Sequence, residues 1–296
     1  MTAVPLVSVL VPAYNHARYI RRCLDSILED AYPRKELVVI DDGSTDGTAD
    51  VISDWISRNS SSLDVRFQYQ ENRGISRTLN ELGRLANGEF LRVVASDDFL
   101  LPAGITTQVD YLQQTPSRLA VFGDAIVVDG QNHRVHDSLI SDVYGADKSE
   151  YLTPESLSRQ IICRWSVGGP VLMIRKTAFE ALEGWNEELS VEDWDIYLRL
   201  LAVGGLGFVD IPVGAYRLHG SNTSRTQIVE KRIRNLQDMK KTARRCSHLF
   251  GSPYSTLLRA QESLASAKIS FLQRRYLHLA LDLVKFMGLR SLVAFR

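Results

Sequence analysis

Three short polar clusters follow apolar runs early in the chain: Pro12-Ala13-Tyr14-Asn15, Asp41-Asp42-Gly43-Ser44 and Ser96-Asp97-Asp98. A further acidic pair, Glu192-Asp193, opens a helical stretch later on. The residue types suggest distinct jobs. Asp42 can accept a hydrogen bond from the imide N–H of a pyrimidine base, Tyr14 can stack on that base, and the main chain at Pro12 and Ala13 can reach its carbonyls. Asp97 can hold Mg²⁺ or Mn²⁺, because hard cations take carboxylate oxygens and share substrate phosphates. Glu192-Asp193 can place one carboxylate against an acceptor hydroxyl. Together these would serve a transfer from a nucleotide diphosphate, which needs a base pocket, charge at the diphosphate and a proton acceptor. Taken singly, each cluster also has a bland account, since Asp, Asn, Gly and Ser are common in turns and helix caps. For Asp46, Asp50 and Asp110 the bland account is preferred.

The elements around the clusters explain why they would meet. Residues 6–11, 37–40, 65–69 and 90–94 are short, β-branched or apolar runs, as expected of buried strands. Between them Ile20, Cys23, Leu24, Ile27 and Leu28, then Val51, Ile52, Trp55 and Ile56, then Leu79, Leu82 and Leu85 repeat at helical spacing. This β-α-β-α order predicts a mainly parallel sheet with helices on both faces and right-handed crossovers. In such sheets ligands bind outside the carboxyl ends of the strands, where the clusters lie. Further strands are expected at 120–128, 171–174 and 208–218, a short helix from Thr177 and another over 196–201, with a loop across 129–149.

The bulk properties exclude several classes. With 45% hydrophobic and 24% charged residues over 296 positions, the composition is that of a globular protein with room for one large α/β domain and an appendage. No run of about 18 apolar residues suggests a spanning helix, and the start lacks the basic and apolar regions of a secretory signal. Cys23, Cys163 and Cys246 are too scattered for a disulfide framework or zinc site, so a cytoplasmic location is expected. The totals of 35 basic and 35 acidic residues cancel, but unevenly: residues 225–296 hold 15 Lys and Arg against 4 Asp and Glu, leaving 20 against 31 in the rest. The basic tail suggests an anionic partner. Leu272, Tyr276, Leu279, Leu283, Phe286, Met287 and Leu289 share an apolar face there, with Arg274, Arg275 and Lys285 among them. Packing on the catalytic domain is favoured for 225–268, whereas packing and a place in a membrane interface stand level for 271–296.

The motifs also carry a resemblance. Residues 7–15, then 38–46 with Asp41-Asp42-Gly43-Ser44, Asn72-Arg73-Gly74-Ile75-Ser76, Asn87-Gly88-Glu89-Phe90, Ser96-Asp97-Asp98 with Pro102, Glu192-Asp193 and Tyr216-Arg217-Leu218-His219 follow one another in order. Over roughly residues 5–224 this string resembles the family-two glycosyltransferases, which have the GT-A fold. The resemblance implies a Rossmann-like catalytic domain over 1–224, with a nucleotide-sugar half to about 103 and an acceptor half over 104–224, followed by a basic helical region over 225–296.

It also implies chemistry: an inverting, metal-assisted transfer in a single displacement, from a nucleotide-diphosphate sugar to a hydroxyl of a glycan or lipid-linked acceptor. Asp42 would bind the nucleobase with Pro12, Ala13, Tyr14 and Asn15. Arg73 or Arg77 and Ser96 would approach the nucleotide, and Asp97, with His219, would bind Mn²⁺ or Mg²⁺. Asp193 would be the general base, positioned by Glu192, while Asp98, Trp194 and Arg217 would lie toward the acceptor or diphosphate. Uracil is the expected base, with thymine offering the same imide edge and guanine left open.

One departure is visible. Many members read Asp-X-Asp-Asp where this chain has Ala95-Ser96-Asp97-Asp98, so the first carboxylate is absent. An inactive nucleotide-sugar-binding relative is the alternative that Ala95 suggests; the retained Asp97, Glu192 and Asp193 favour an enzyme. A dinucleotide-dependent oxidoreductase would need Gly-X-Gly-X-X-Gly after the first strand, where this chain has Pro12 to Ala17. Trp185 and Trp194 are equally consistent with core and with the floor of a sugar subsite. His16, His133, His136, His248 and His278 are read as non-catalytic. The anionic partner expected for the tail is a membrane surface at the inner face, not a nucleic acid.

Overall fold

The computed structural model describes residues 4–220 and 226–294. The chain begins β1 (Val7–Ala13), α1 (Ile20–Glu29), β2 (Lys35–Asp41), α2 (Thr48–Asn59), β3 (Asp64–Tyr69), α3 (Ile75–Leu85) and β4 (Phe90–Val93). It continues with β5 (Phe99–Leu100), α4 (Gly104–Gln114), β6 (Ala120–Val128), β7 (Arg134–His136), α5 (Pro154–Cys163), β8 (Leu172–Arg175) and α6 (Lys176–Ala181). It ends with α7 (Asp193–Ala202), β9 (Leu206–Arg217), α8 (Val229–Cys246), α9 (Tyr254–Leu272) and α10 (Tyr276–Ala294).

These elements form two compact units. The first takes the described parts of 1–148, 167–187 and 205–218; the second takes 149–166, 188–204 and the described parts of 219–296. The boundary expected at 224 lies outside the described residues. Two earlier segments, which hold α5 and α7, belong to the same unit as the C-terminal helices.

The first unit is built on one sheet of order β3-β2-β1-β4-β8-β6-β9-β5, with β7 paired to β6. Every residue of β1 is buried, in keeping with the largely apolar run Val7 to Val11, in which Ser8 Oγ donates to Glu36. β1, β2, β3 and β4 pair in parallel, as their α-helical crossovers demand, and β6 pairs with β9 in parallel. The joins β4–β8, β6–β8 and β5–β9 are antiparallel, so the sheet is mixed beyond β4. Ile20, Cys23, Leu24 and Ile27 of α1 face a core shared with Trp55 of α2 and Val7, Val9 and Val11 of β1. The segment 129–149, expected as loop, contains β7 and short helical turns at Leu139–Val143 and Lys148–Tyr151.

Register brings the strand ends together. Ala13 lies beside Asp41, Leu10 beside Val93, and Val94 N–H donates to the Leu10 carbonyl. The segments leaving β1, β2 and β4 therefore emerge from one edge of the sheet.

The second unit is helical. Trp194 of α7 is buried, and its Nε1 donates to the Ile161 carbonyl at 2.8 Å. Asp195 is fully buried and accepts from Arg199 and Arg245, so its charge is matched within the unit. Asp238 of α8 is likewise spent on the backbone and hydroxyl of Ser190. Among the described residues no helix is long and apolar enough to cross a membrane.

Candidate functional site

The loops after β1 and β2 are laced together by side chains. Asn15 N–H donates to Ser44 Oγ, and the Asn15 amide oxygen accepts from Thr45 N–H at 2.8 Å. His16 N–H donates to Thr48 Oγ1, and Asp46 accepts from Ala17 N–H and from both the N–H and hydroxyl of Thr48. Asp46 is thus a structural residue, as its turn position suggested. Asn15 pays for this with a left-handed backbone (φ 54°), a conformation that asparagine tolerates better than most residues. The lacing fixes the loop that carries Tyr14, whose ring stays nearly half exposed.

Asp42 is buried. Its carboxylate accepts from Gln70 Nε2 at 2.7 Å and from the N–H groups of Arg73 and Gly74 at 2.8 and 2.9 Å. It therefore holds the turn before α3. Gly43 permits the approach: at φ 79°, a Cβ there would stand 2.8 Å from the Asn72 nitrogen. The same turn separates the two candidate arginines. Arg77 is engaged by Glu187 at 3.4 Å, whereas the Arg73 side chain is exposed and has no ion pair among the described residues.

Beyond β4, Ser96 is buried and its Oγ shares a 2.7 Å hydrogen bond with His16 Nδ1. The other ring nitrogen, Nε2, lies 3.8 Å from Asp97 Oδ2. His16 was not expected here. Its place directly after the Pro12 to Asn15 cluster was a signal, but the partner that recruits it lies 80 residues away. The two donors fit a divalent cation. Ligands bonded at about 2.1 Å can stand up to about 4.2 Å apart on one ion, and a carboxylate with an imidazole suits Mn²⁺ as well as Mg²⁺.

Asp98 has a different role from Asp97. It is buried, its Oδ1 accepts the Arg217 N–H at 2.8 Å, and burial followed by the neighbouring Asp97 charge pushes its carboxyl well above the usual range. Arg217 is also buried. Its Nε donates to the Asp97 carbonyl at 2.6 Å, its Nη1 donates to the Asp129 carbonyl, and the guanidinium lies 4.7 Å from the Tyr19 ring centre. Arg217 thus holds the Asp97-Asp98 backbone in place, and its charge faces protein atoms rather than an open diphosphate site. His219 follows it by two residues along the chain and begins the C-terminal part of the second unit.

In the second unit Asp193 is the first residue of α7, and Glu192 precedes it as the N-cap with no side-chain capping bond. Asp193 keeps an exposed surface, and desolvation by the protein around it pushes its carboxyl up to about 6. Glu192 is pushed well above its ordinary range, first by burial and then by the Asp193 charge. Neither tryptophan forms a sugar floor here: Trp185 and Trp194 are each 2% exposed, so both ring faces are core.

A family model described as Glycosyl transferase family 2 matches residues 8–179. The chain is 31% identical to a chondroitin synthase of Escherichia coli over 222 residues, which is 75% of this chain and 30% of that protein. It is 30% identical to a hyaluronan synthase of Pasteurella multocida over 222 residues, covering 75% of this chain and 21% of that one. The chain thus spans a third or less of these relatives. Among solved structures, a mannosyltransferase from Pyrobaculum calidifontis in complex with GDP-Man and Mn²⁺ superposes with a TM-score of 0.63 at 21% identity, covering 99% of this chain and 80% of that one. S. aureus TarS 1-349 in complex with UDP-GlcNAc gives a TM-score of 0.63 at 18% identity, covering 96% and 88%. These likenesses give the fold, which is GT-A-like.

Proposed function

The chain belongs to glycosyl transferase family 2, and on that premise we propose that it is an inverting enzyme moving a sugar from a nucleotide-diphosphate donor to a hydroxyl of a glycan or lipid-linked acceptor. The observation that carries this reading is the meeting of His16, Ser96 and Asp97 at the carboxyl ends of β1 and β4, with Tyr14 two residues before His16 on the same loop.

Tyr14 offers the open ring on which a base would stack, with Pro12, Ala13 and Asn15 as its main-chain edge. Asp42 would use the lone pair left on its carboxylate for the imide, and uracil is the expected base. Arg73, free of Glu187, is the cation for the nucleotide. Asp97 would hold Mn²⁺ or Mg²⁺ together with His16, while His219 is the further ligand that the family resemblance assigns. Such an ion would supply positive charge against the diphosphate leaving group. The Mn²⁺ in the mannosyltransferase complex supports this reading.

Asp193 acts as general base. Its carboxylate takes the acceptor hydroxyl proton as the oxygen bonds to the anomeric carbon. The bond from that carbon to the phosphate oxygen breaks, and its electron pair leaves with the nucleotide diphosphate. A carboxyl raised to about 6 is a stronger proton acceptor than an ordinary aspartate and is still ionised at neutral pH. Glu192 positions it. In this reading residues 1–224 form the catalytic domain, and the basic helices of 225–296 associate it with an anionic membrane surface. The sugar is of the hexosyl or N-acetylhexosaminyl type.

Calorimetric titration of UDP, dTDP and GDP, each with Mn²⁺ and with chelator, tests the donor site. Manganese-dependent preference for one nucleotide is expected. Binding without any transfer would mark an inactive relative, and no binding to any of the three would overturn the site.

A further inference from the structure

Helix α10 has two apolar faces. At about 100° per residue, Leu279, Phe286, Leu289 and Val293 fall on the side that packs along α9, and they are partly or fully buried. Leu277, Leu281, Val284, Met287 and Leu292 fall on the opposite side, where Leu277 is 73% and Val284 64% exposed. A continuous exposed apolar stripe of this kind marks an interaction surface. On the α9-packing side of α10, the helices α8, α9 and α10 line a groove of about 520 Å³. Its walls are apolar (Leu236, Met239, Leu264, Phe271, Leu279 and Leu283), and Arg232 and Lys268 also line it. Both cations are exposed, and neither side chain forms an ion pair among the described residues.

We propose that this unit binds an anionic membrane lipid, with an acyl chain in the groove and Arg232 and Lys268 on the phosphate head, while the α10 stripe lies in the bilayer interface. This deepens the proposed membrane association and rests on it. Charge selects the occupant. Between Lys268 and Lys285 the chain carries Lys268, Arg274, Arg275 and Lys285 against Asp282 alone, and Asp282 accepts from Ser270 Oγ. A second copy docked through the same face would set these bases against their equivalents, whereas an anionic headgroup layer complements them. The pairing of an apolar face with a basic one is also the physical pattern of helices that lie in the interface.

The test is flotation of the full chain with phosphatidylcholine vesicles, with and without phosphatidylglycerol. Wild type should float only with the anionic vesicles. The double variant Leu281→Glu/Val284→Glu alters exposed positions and should lose flotation while keeping its thermal unfolding and nucleotide binding. Arg232→Gln/Lys268→Gln should weaken anionic-vesicle affinity by about 30-fold, at roughly fivefold per basic residue. Equal flotation of all variants would overturn the assignment of this face. Failure of wild type to float, or a wild-type dimer that the Glu substitutions dissociate, would overturn the lipid as occupant. Nucleotide titration on the same samples separates these outcomes from failure of the donor site.

Discussion

Two of the chain's adjacent acid pairs, Asp97-Asp98 and Glu192-Asp193, differ in what their neighbours do. In Asp97-Asp98 the second carboxylate is buried and bound to the Arg217 N–H, and the Arg217 side chain grips the Asp97 carbonyl. One acid is spent on holding the other in place beside His16. In Glu192-Asp193 no side chain caps the helix, and among the described residues no basic side chain offsets the loss of solvation, so the acids are raised together. The first pair is a braced ligand, while the second is a poised proton acceptor. Adjacent carboxylates of the same type are thus given different work by the cations within reach.

Breaking the second pair should cost most. Asp193→Asn is expected to lower kcat by about 10³-fold, within the usual range for a general base, with donor affinity unchanged by calorimetry. Loss of donor affinity instead would refute the role. The same group predicts an acidic limb. Activity should fall as pH drops through about 6, because the proton acceptor is then occupied. The sign for stability is opposite. A carboxyl raised in the fold favours folding below its unfolded value near 3.8 and loses that contribution as pH rises through about 6. Asp193→Asn should therefore unfold no earlier than wild type at neutral pH, as a thermal melt would show.

Breaking the brace should act on stability first. Arg217→Met removes donors to the Asp97 and Asp129 carbonyls and leaves buried acceptors unpaired, for a loss of about 3 kcal/mol in denaturant unfolding. An unchanged midpoint would deny the brace. Asp97→Ala should leave the fold intact and weaken Mn²⁺-dependent nucleotide binding by about 30-fold, with no change in chelator; equal weakening in both would remove the metal role. The smallest contrast concerns the arginines. Arg73→Ala should reduce nucleotide affinity by about fivefold and Arg77→Ala hardly at all, since only Arg77 is held by Glu187. The reverse order would exchange their roles.

Much of the first unit was legible in the sequence. The largely apolar runs of β1 and β2 and the helical spacing of α1 announce a buried parallel arrangement, and the residues at the strand ends follow from it. Helix α5 was not anticipated: although Thr153 Oγ1 accepts from Ser156 N–H and Pro154 opens the helix, its apolar residues blend into their surroundings. The antiparallel entry of β8 between β4 and β6 was not readable, because a four-residue apolar strand has the same pattern in either direction.

The same division runs through the site. Sequence alone determined which acids, which aromatic ring and which strand ends could take part, because residue type and local periodicity are properties of the chain. Only the tertiary structure decided their work. It recruited His16 through Ser96, committed Arg217 to bracing and Arg77 to Glu187, and put Trp194 into the core. Each of these depends on partners distant in the chain, since burial and long-range pairing fix the desolvation and charge that a side chain experiences.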